Sequence, residues 1–402
     1  MRQRRTAGAC LLSVVIGGWL ASGAHAQDKA GGDLAVTPTG PVETVFDWSR
    51  DACVKTNVPD ASARAFRRAD GEVRLVISHN DNRALAGRSL DALKPDCAVL
   101  FEAGRSAELA AFDDLSWIGA VYTRDGKRVD ALAHTELRGD RTPGQCPAGK
   151  YSPCLLNTVT ALVSEDGGRS FQAENRGGRP PVVATLPYPF PTDRDGRVGY
   201  ANPTNIIERD GWYYAFIFAD HYKAQRRGNC LIRTQNLADP SSWRAWDGEG
   251  FGASFIDPFR DSNADPEAHV CAPVAPATFG RMIGGMVKRR GGDEVLAVFG
   301  DRRKGEGGQV EEGIFAATSR DLVKWSKPSL VMKAELLWDK SCDEPHAYFY
   351  PSLIDPRATT FSFEDFGDSG FLYLTRYQLK DCKVTWDRDL VRVPVTLKPS
   401  RS

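Results

Sequence analysis

The chain shows no sustained helical spacing of apolar positions. Its hydrophobic residues come in short β-rich runs, broken by Asp-Gly, Gly-Gly and Asn-rich turns. Taken as strand pairs, the runs recur at roughly 60–70 residues. Residues 63–68 and 73–78 flank Ala69-Asp70-Gly71, and 117–123 and 129–133 flank Arg124-Asp125-Gly126. Residues 204–208 and 212–219 flank Arg209-Asp210-Gly211, and 282–288 and 294–300 flank Gly291-Gly292. A fifth pair, 350–354 and 371–376, is joined by a longer loop. Asp-Gly and Gly-Gly supply the positive-φ residues that tight hairpins need. The pattern predicts an all-β fold. Five repeats around an axis predict a five-bladed β-propeller of four-stranded antiparallel blades around a central pocket, and a β-sandwich pair accounts for the period less well.

A second motif follows the first four pairs. Ser164-Glu-Asp166-Gly-Gly168-Arg-Ser170-Phe171 matches an Asp box, in which Asp and Ser side chains bond turn amides while the aromatic packs between strands. Ser319-Arg-Asp321-Leu-Val-Lys-Trp325 and Thr234-Gln-Asn236 with Trp243 are looser forms, Ser89-Leu-Asp91 is the faintest, and Thr385-Trp386-Asp387 stands in the fifth repeat. In repeat pattern and turn motifs, residues 50–398 resemble the five-bladed β-propeller glycosidases of the glycoside hydrolase family 43 arabinanase and xylosidase group. The Asp boxes are similar to those of sialidases.

The N-terminus reads as a secretory signal: Arg2, Arg4 and Arg5, an apolar run from Ala9 to Ala21, and Ala24-His25-Ala26 as the cleavage site. The expected organisation is therefore a signal peptide over 1–26, a flexible lead-in over 27–44, and one β-propeller domain over 45–402. Export to the periplasm or the extracellular space suits the cysteines. Nine are present, and beyond Cys10 they fall into sequence-near pairs, Cys53/Cys97, Cys146/Cys154, Cys230/Cys271 and Cys342/Cys382, expected as disulfides. Lys+Arg and Asp+Glu both number 52, so no basic field exists to gather nucleic acid. No later stretch is apolar enough for a membrane span, and a monomer is expected.

Propeller geometry directs residues just before each first strand, and just after each second, to one central mouth. Polar residues gather at those positions: Asp60 and Arg64, His79, Trp117, His134 and Glu136, Asn205, Asp220 and His221, Asp301 and Arg302, Glu344 with His346 and Tyr348, and Arg376. Glycoside hydrolysis needs two carboxylates across the scissile bond. The family resemblance implies that an Asp opening the first blade serves as base, which points to Asp60. Glu136 is the first choice for the acid, since period-two geometry puts His134 and Glu136 on one face. Glu344, beside His346, is the second. Asp220 and Asp301 are candidates for a third, pKa-modulating carboxylate. The remaining mouth residues are expected substrate contacts for a carbohydrate. In place of the family's inner-strand acidic residue the second blade carries Trp117-Ile118-Gly119.

Other readings stay open. A non-catalytic propeller could bind glycan or protein through the same mouth, and a metal-assisted hydrolase could use His79, His134, His221 and His346. Arg64, Arg302 and Arg376 with Tyr348 or Tyr377 imitate a sialidase's arginine triad and tyrosine nucleophile. No cofactor or metal is expected. The loop from Asp261 lacks the sixth-position Gly and twelfth-position Glu of an EF-hand, which excludes that motif, and a structural Ca²⁺ elsewhere in the propeller channel stays open without support.

Overall fold

The computed structural model describes residues 34–142, 144–146, 154–175, 178–191, 196–305 and 307–399. The region read as a signal peptide lies outside the described residues. The fold is nearly all β, arranged in sheets of four, ten, five and five strands. The four-stranded sheet is an antiparallel run of Arg64–Arg67, Val73–Ile77, Arg83–Gly87 and Lys94–Asp96.

The ten-stranded sheet contains two antiparallel runs. One is Leu115–Tyr122, Val129–Arg138 and Leu155–Ser164, edged by Gln172–Ala173 and Val182–Ala184. The other sets Val198–Ala201 and Ile207–Arg209 on Trp212–Asp220, followed by Gly228–Thr234 and Arg244–Ala245. A short parallel contact, Val198 and Gly199 against Leu156 and Asn157, joins the two. Gly199 has φ 98°, and a Cβ there would stand 2.0 Å from the Asn157 carbonyl oxygen, so only glycine allows this approach.

One five-stranded sheet runs Ile283–Arg289, Val295–Lys304, Val310–Ser319 and Ser329–Lys333, with Asp365–Phe366 added in parallel. The last combines His346–Ile354, Ser369–Lys380 and Lys383–Pro399 with two strands from the other end of the chain, Leu34–Pro38 and Glu43–Phe46. The stretch 27–44 is thus not a flexible lead-in throughout, because Leu34–Pro38 pairs with 395–399. Its partner lies at the far end of the sequence, so neither a hairpin turn nor a local alternation announces it.

Successive strand groups share apolar cores. Val73, Leu75 and Ile77 enter one core with Phe46, Tyr373 and Leu390, while Val76 enters another with Phe66, Ile118 and Val129. Leu296 and Val298 pack against Leu372 and Val391, while Val295, Ala297 and Phe299 pack against Phe216 and Leu231. A fifth core joins Leu132, Leu156 and Val159 to Tyr213, Ala215 and Ile217. Alternate residues of one strand therefore serve two cores, which explains runs that are apolar at every position. The cores link the groups in chain order, and the last packs back on the first.

The turn motifs behave unequally. In the first, the Ser164 hydroxyl donates to Asp166 Oδ1 (2.7 Å), which accepts from the amides of Arg169 and Ser170 at 2.9 and 3.0 Å. Burial would push the Asp166 carboxyl up, but these bonds with that of the Ser170 hydroxyl hold it at about 2. Asp321 accepts likewise from Val323 and Lys324. Asp91 instead pairs with Arg392 at 2.8 Å, and Trp386 is exposed rather than packed between strands, so neither belongs to such a motif. All four expected cysteine pairs are disulfides.

Candidate active site

Asp60 lies just before Arg64–Arg67, its amide tied to the Ser78 carbonyl (2.8 Å) at the end of the neighbouring strand. Its Oδ1 accepts from the Tyr377 hydroxyl at 3.2 Å and from Arg388 Nη1 at 2.5 Å. Arg388 also lies over the rings of Tyr377 and Trp386, with 5.0 and 5.7 Å to their centroids. Burial raises the Asp60 carboxyl above the ordinary aspartate value, against the lowering pull of Arg388. Burial by itself also lifts the Tyr377 hydroxyl well above its usual range, and the Asp60 charge adds to it.

Glu136 comes from the neighbouring group. Along Val129–Arg138, His134, Glu136 and Arg138 alternate with buried Thr135 and Leu137. Burial pushes Glu136 up to about 7, and the charge of Asp60 is the next contributor, with Arg197 and Arg138 opposing. The two carboxylates therefore share one electrostatic environment. His134 is driven down to about 4, chiefly by burial, and its Nε2 is 3.1 Å from Asn157 Oδ1. His79 is lowered by burial too, so both histidines favour the neutral form.

A cavity of about 10 Å³, room for one water, gathers residues from all the strand groups, Arg64, Trp117, His134, Asn202, Gly284 and Tyr350 among others. Arg64, expected as a substrate contact, donates to the carbonyls of Gly119 (2.6 Å), Gly284 (2.7 Å), Pro203 (3.3 Å) and Ala63 (3.3 Å). It ties the innermost strands together, and burial brings its guanidinium down to about 9. Tyr350 holds φ 56° at this point, an unfavourable left-handed backbone for a bulky residue.

Other residues expected at the mouth are engaged elsewhere. Glu344, His346 and Tyr348 line a separate groove of about 470 Å³ with Glu312 and Glu335. Arg376 donates to Asp389 at 2.8 Å, because period two sends it away from the face that carries Tyr377 to Asp60. Both polar ends of the Asn205 amide are taken by the Met286 backbone, at 2.6 and 2.9 Å. Asp301 is ion-paired with Arg303 and accepts from the Arg302 amide, and the exposed Arg302 side chain is 3.7 Å from Glu312. His221 is exposed, with Nδ1 3.1 Å from the Gln225 carbonyl. The four histidines are thus divided, and among the described residues no group of three or more His, Cys, Asp or Glu could hold a metal. Asp220 stays near the mouth through Arg197, 3.3 Å away.

Arg388, Tyr350, Trp386 and Arg197 were not singled out as site residues from the sequence. Arg197 directly precedes Val198–Ala201, a first-strand position that would have drawn notice had that strand been recognised.

No protein family's sequence profile matches the chain. No curated protein sequence matches it either. By structure it is similar to the catalytic domain of Coprinopsis cinerea GH62 alpha-L-arabinofuranosidase, with 9% identity and TM-score 0.43 over 91% of this chain and 98% of that one. It is similar to Cellvibrio cellulosa alpha-L-arabinanase, with 12% identity and TM-score 0.45 over 83% and 91%. It is similar also to the Xanthomonas citri GH43_1 enzyme solved with xylotriose, with 12% identity and TM-score 0.47 over 89% and 90%.

Proposed function

We propose that this protein is an exported glycoside hydrolase that cleaves a glycosidic bond in a poly- or oligosaccharide, and that its strand groups are the blades of a five-bladed propeller. The circular sharing of cores, with the last group packed on the first, supports the architecture. The observation that carries the chemistry is the Asp60–Glu136 pair, two carboxylates from adjacent groups that are both raised by burial, with the charge of Asp60 raising Glu136 further.

Glu136, raised to about 7, keeps its proton in mildly acidic solution and in about half of the molecules at neutrality, and serves as the acid. It gives that proton to the glycosidic oxygen as the bond to the anomeric carbon breaks. Asp60, oriented by Tyr377 and Arg388, acts as base and takes a proton from the water that attacks that carbon. Asp220, linked to Arg197, is the third carboxylate and tunes Glu136 through that arginine.

The test is reducing-end release from plant and bacterial polysaccharides by wild type, Asp60→Asn and Glu136→Gln, with thermal melts of each. Both variants should remain folded and lose activity by about 10²-fold or more. Turnover that survives in either folded variant removes that residue from the chemistry.

A further inference from the structure

Of the described Trp, Tyr and Phe side chains, two are more than a third exposed, Trp338 at 54% and Trp386 at 38%. Both adjoin the mouth. Trp386 meets His79 edge-on at 5.8 Å, His79 meets Trp117 at 5.8 Å, and Trp117 lies 5.7 Å from His134. This row of rings crosses from the fifth strand group over the first to the second. It begins beside Arg388, the partner of Asp60, and ends two positions before Glu136. Trp338 stands on another side, 6.3 Å from Phe349, which lines the central cavity. Arg197 lies over the Trp338 ring at 5.6 Å while its charge acts on Glu136.

One exposed tryptophan thus stands beside Arg388, the partner of Asp60, and the other beside Arg197, whose charge acts on Glu136. An indole left open to water, with a cation over part of it, offers the flat apolar surface on which the C–H face of a sugar ring stacks. The acid protonates the departing sugar, so Trp338 belongs to the leaving-group side and Trp386 to the other.

We propose that Trp386 and Trp338 are stacking platforms that hold sugar units on either side of the cleaved bond. The preferred substrate is then an oligo- or polysaccharide chain rather than a single glycoside. This assignment of sides rests on the reading of Asp60 and Glu136 as the reactive pair.

The test measures binding without turnover. Asp60→Asn protein is titrated by calorimetry with neutral and acidic plant and bacterial oligosaccharides of increasing length, alone and with Trp338→Ala or Trp386→Ala added. Affinity should rise with chain length, and each tryptophan change should weaken the longer chains by about tenfold, with the loss growing with length. In catalytically intact protein the same changes should raise KM for long chains more than for short ones. Length-dependent, tryptophan-sensitive binding without any wild-type hydrolysis keeps the platforms and rejects the hydrolase. Hydrolysis with indifferent tryptophan variants keeps the hydrolase and rejects the platforms. Failure of the Asp60→Asn protein to bind any oligosaccharide of the panel also rejects them.

Discussion

Replacing Glu136 by glutamine should make the protein more stable at alkaline pH and no more stable in acid. The carboxyl is lifted from 4.5 to about 7 by burial first and by the charge of Asp60 second. Each pH unit of such displacement corresponds to about 1.36 kcal/mol, so ionising Glu136 costs the fold about 3 kcal/mol more than it costs the unfolded chain. The sign follows from a folded value above the unfolded one. The stability tied to the neutral carboxyl is fully present below about pH 4.5 and is lost as pH rises through about 7. Glutamine has nearly the same shape and never ionises, so the variant escapes that loss. At pH 5 wild type and Glu136→Gln should melt within about a degree of each other. At pH 8 the variant should be ahead by up to about 3 kcal/mol, a few degrees in Tm for a chain of this length. Urea or thermal melts at the two pH values provide the assay. A Tm difference that stays constant across this range, or that turns against the variant as pH rises, refutes the buried carboxylate. The gain would accompany loss of hydrolysis, the expected relation where an active site holds a group in an unfavourable environment.

Asp60→Asn should lower the titration midpoint of Glu136, because it removes the second contributor to the rise while leaving burial in place. Carbon-13 NMR of the Glu136 carboxyl reads this directly, and an unmoved midpoint means that the two groups do not share a mouth. Arg64→Met should destabilise the fold by about 3 kcal/mol or more, since carbonyls of Gly119, Pro203 and Gly284 lose a buried donor. Denaturant melts check it; a change in KM with unchanged stability would instead return Arg64 to substrate binding.

Hairpins were legible in the sequence wherever their turns were short and carried Asp-Gly or Gly-Gly, as at Asp70-Gly71 and Asp210-Gly211. Asp60, His79, Trp117, His134 and Glu136 drew attention because they flank such strands; the rings of His79, Trp117 and His134 adjoin in a row, and the charge of Asp60 acts on Glu136. Glu344, His346 and Tyr348 were misjudged for a local reason. The register slips between Phe349 and Ser352, and Tyr350 adopts a left-handed backbone there. The strand expected to begin at 350 in fact runs from His346 to Ile354, so His346 and Tyr348, read as lying before it, are part of it. Arg388 and Trp386 escaped notice as site residues because they lie on the final strand, which approaches Asp60 from more than 300 positions away in sequence.

The pairing of Leu34–Pro38 with 395–399 has a consequence for how the molecule is made. During synthesis, Leu34–Pro38 must stay unpaired until its partner, hundreds of residues later, arrives. Until then an open edge and half of a hydrophobic core are presented to other molecules. The delay adds little to the equilibrium, because closure entropy grows only with the logarithm of loop length, about 0.6 kcal/mol per doubling. It weighs on time instead. The vulnerable interval lasts as long as delivery of the chain, and chaperone protection of that interval would serve this protein better than extra stability in its finished state.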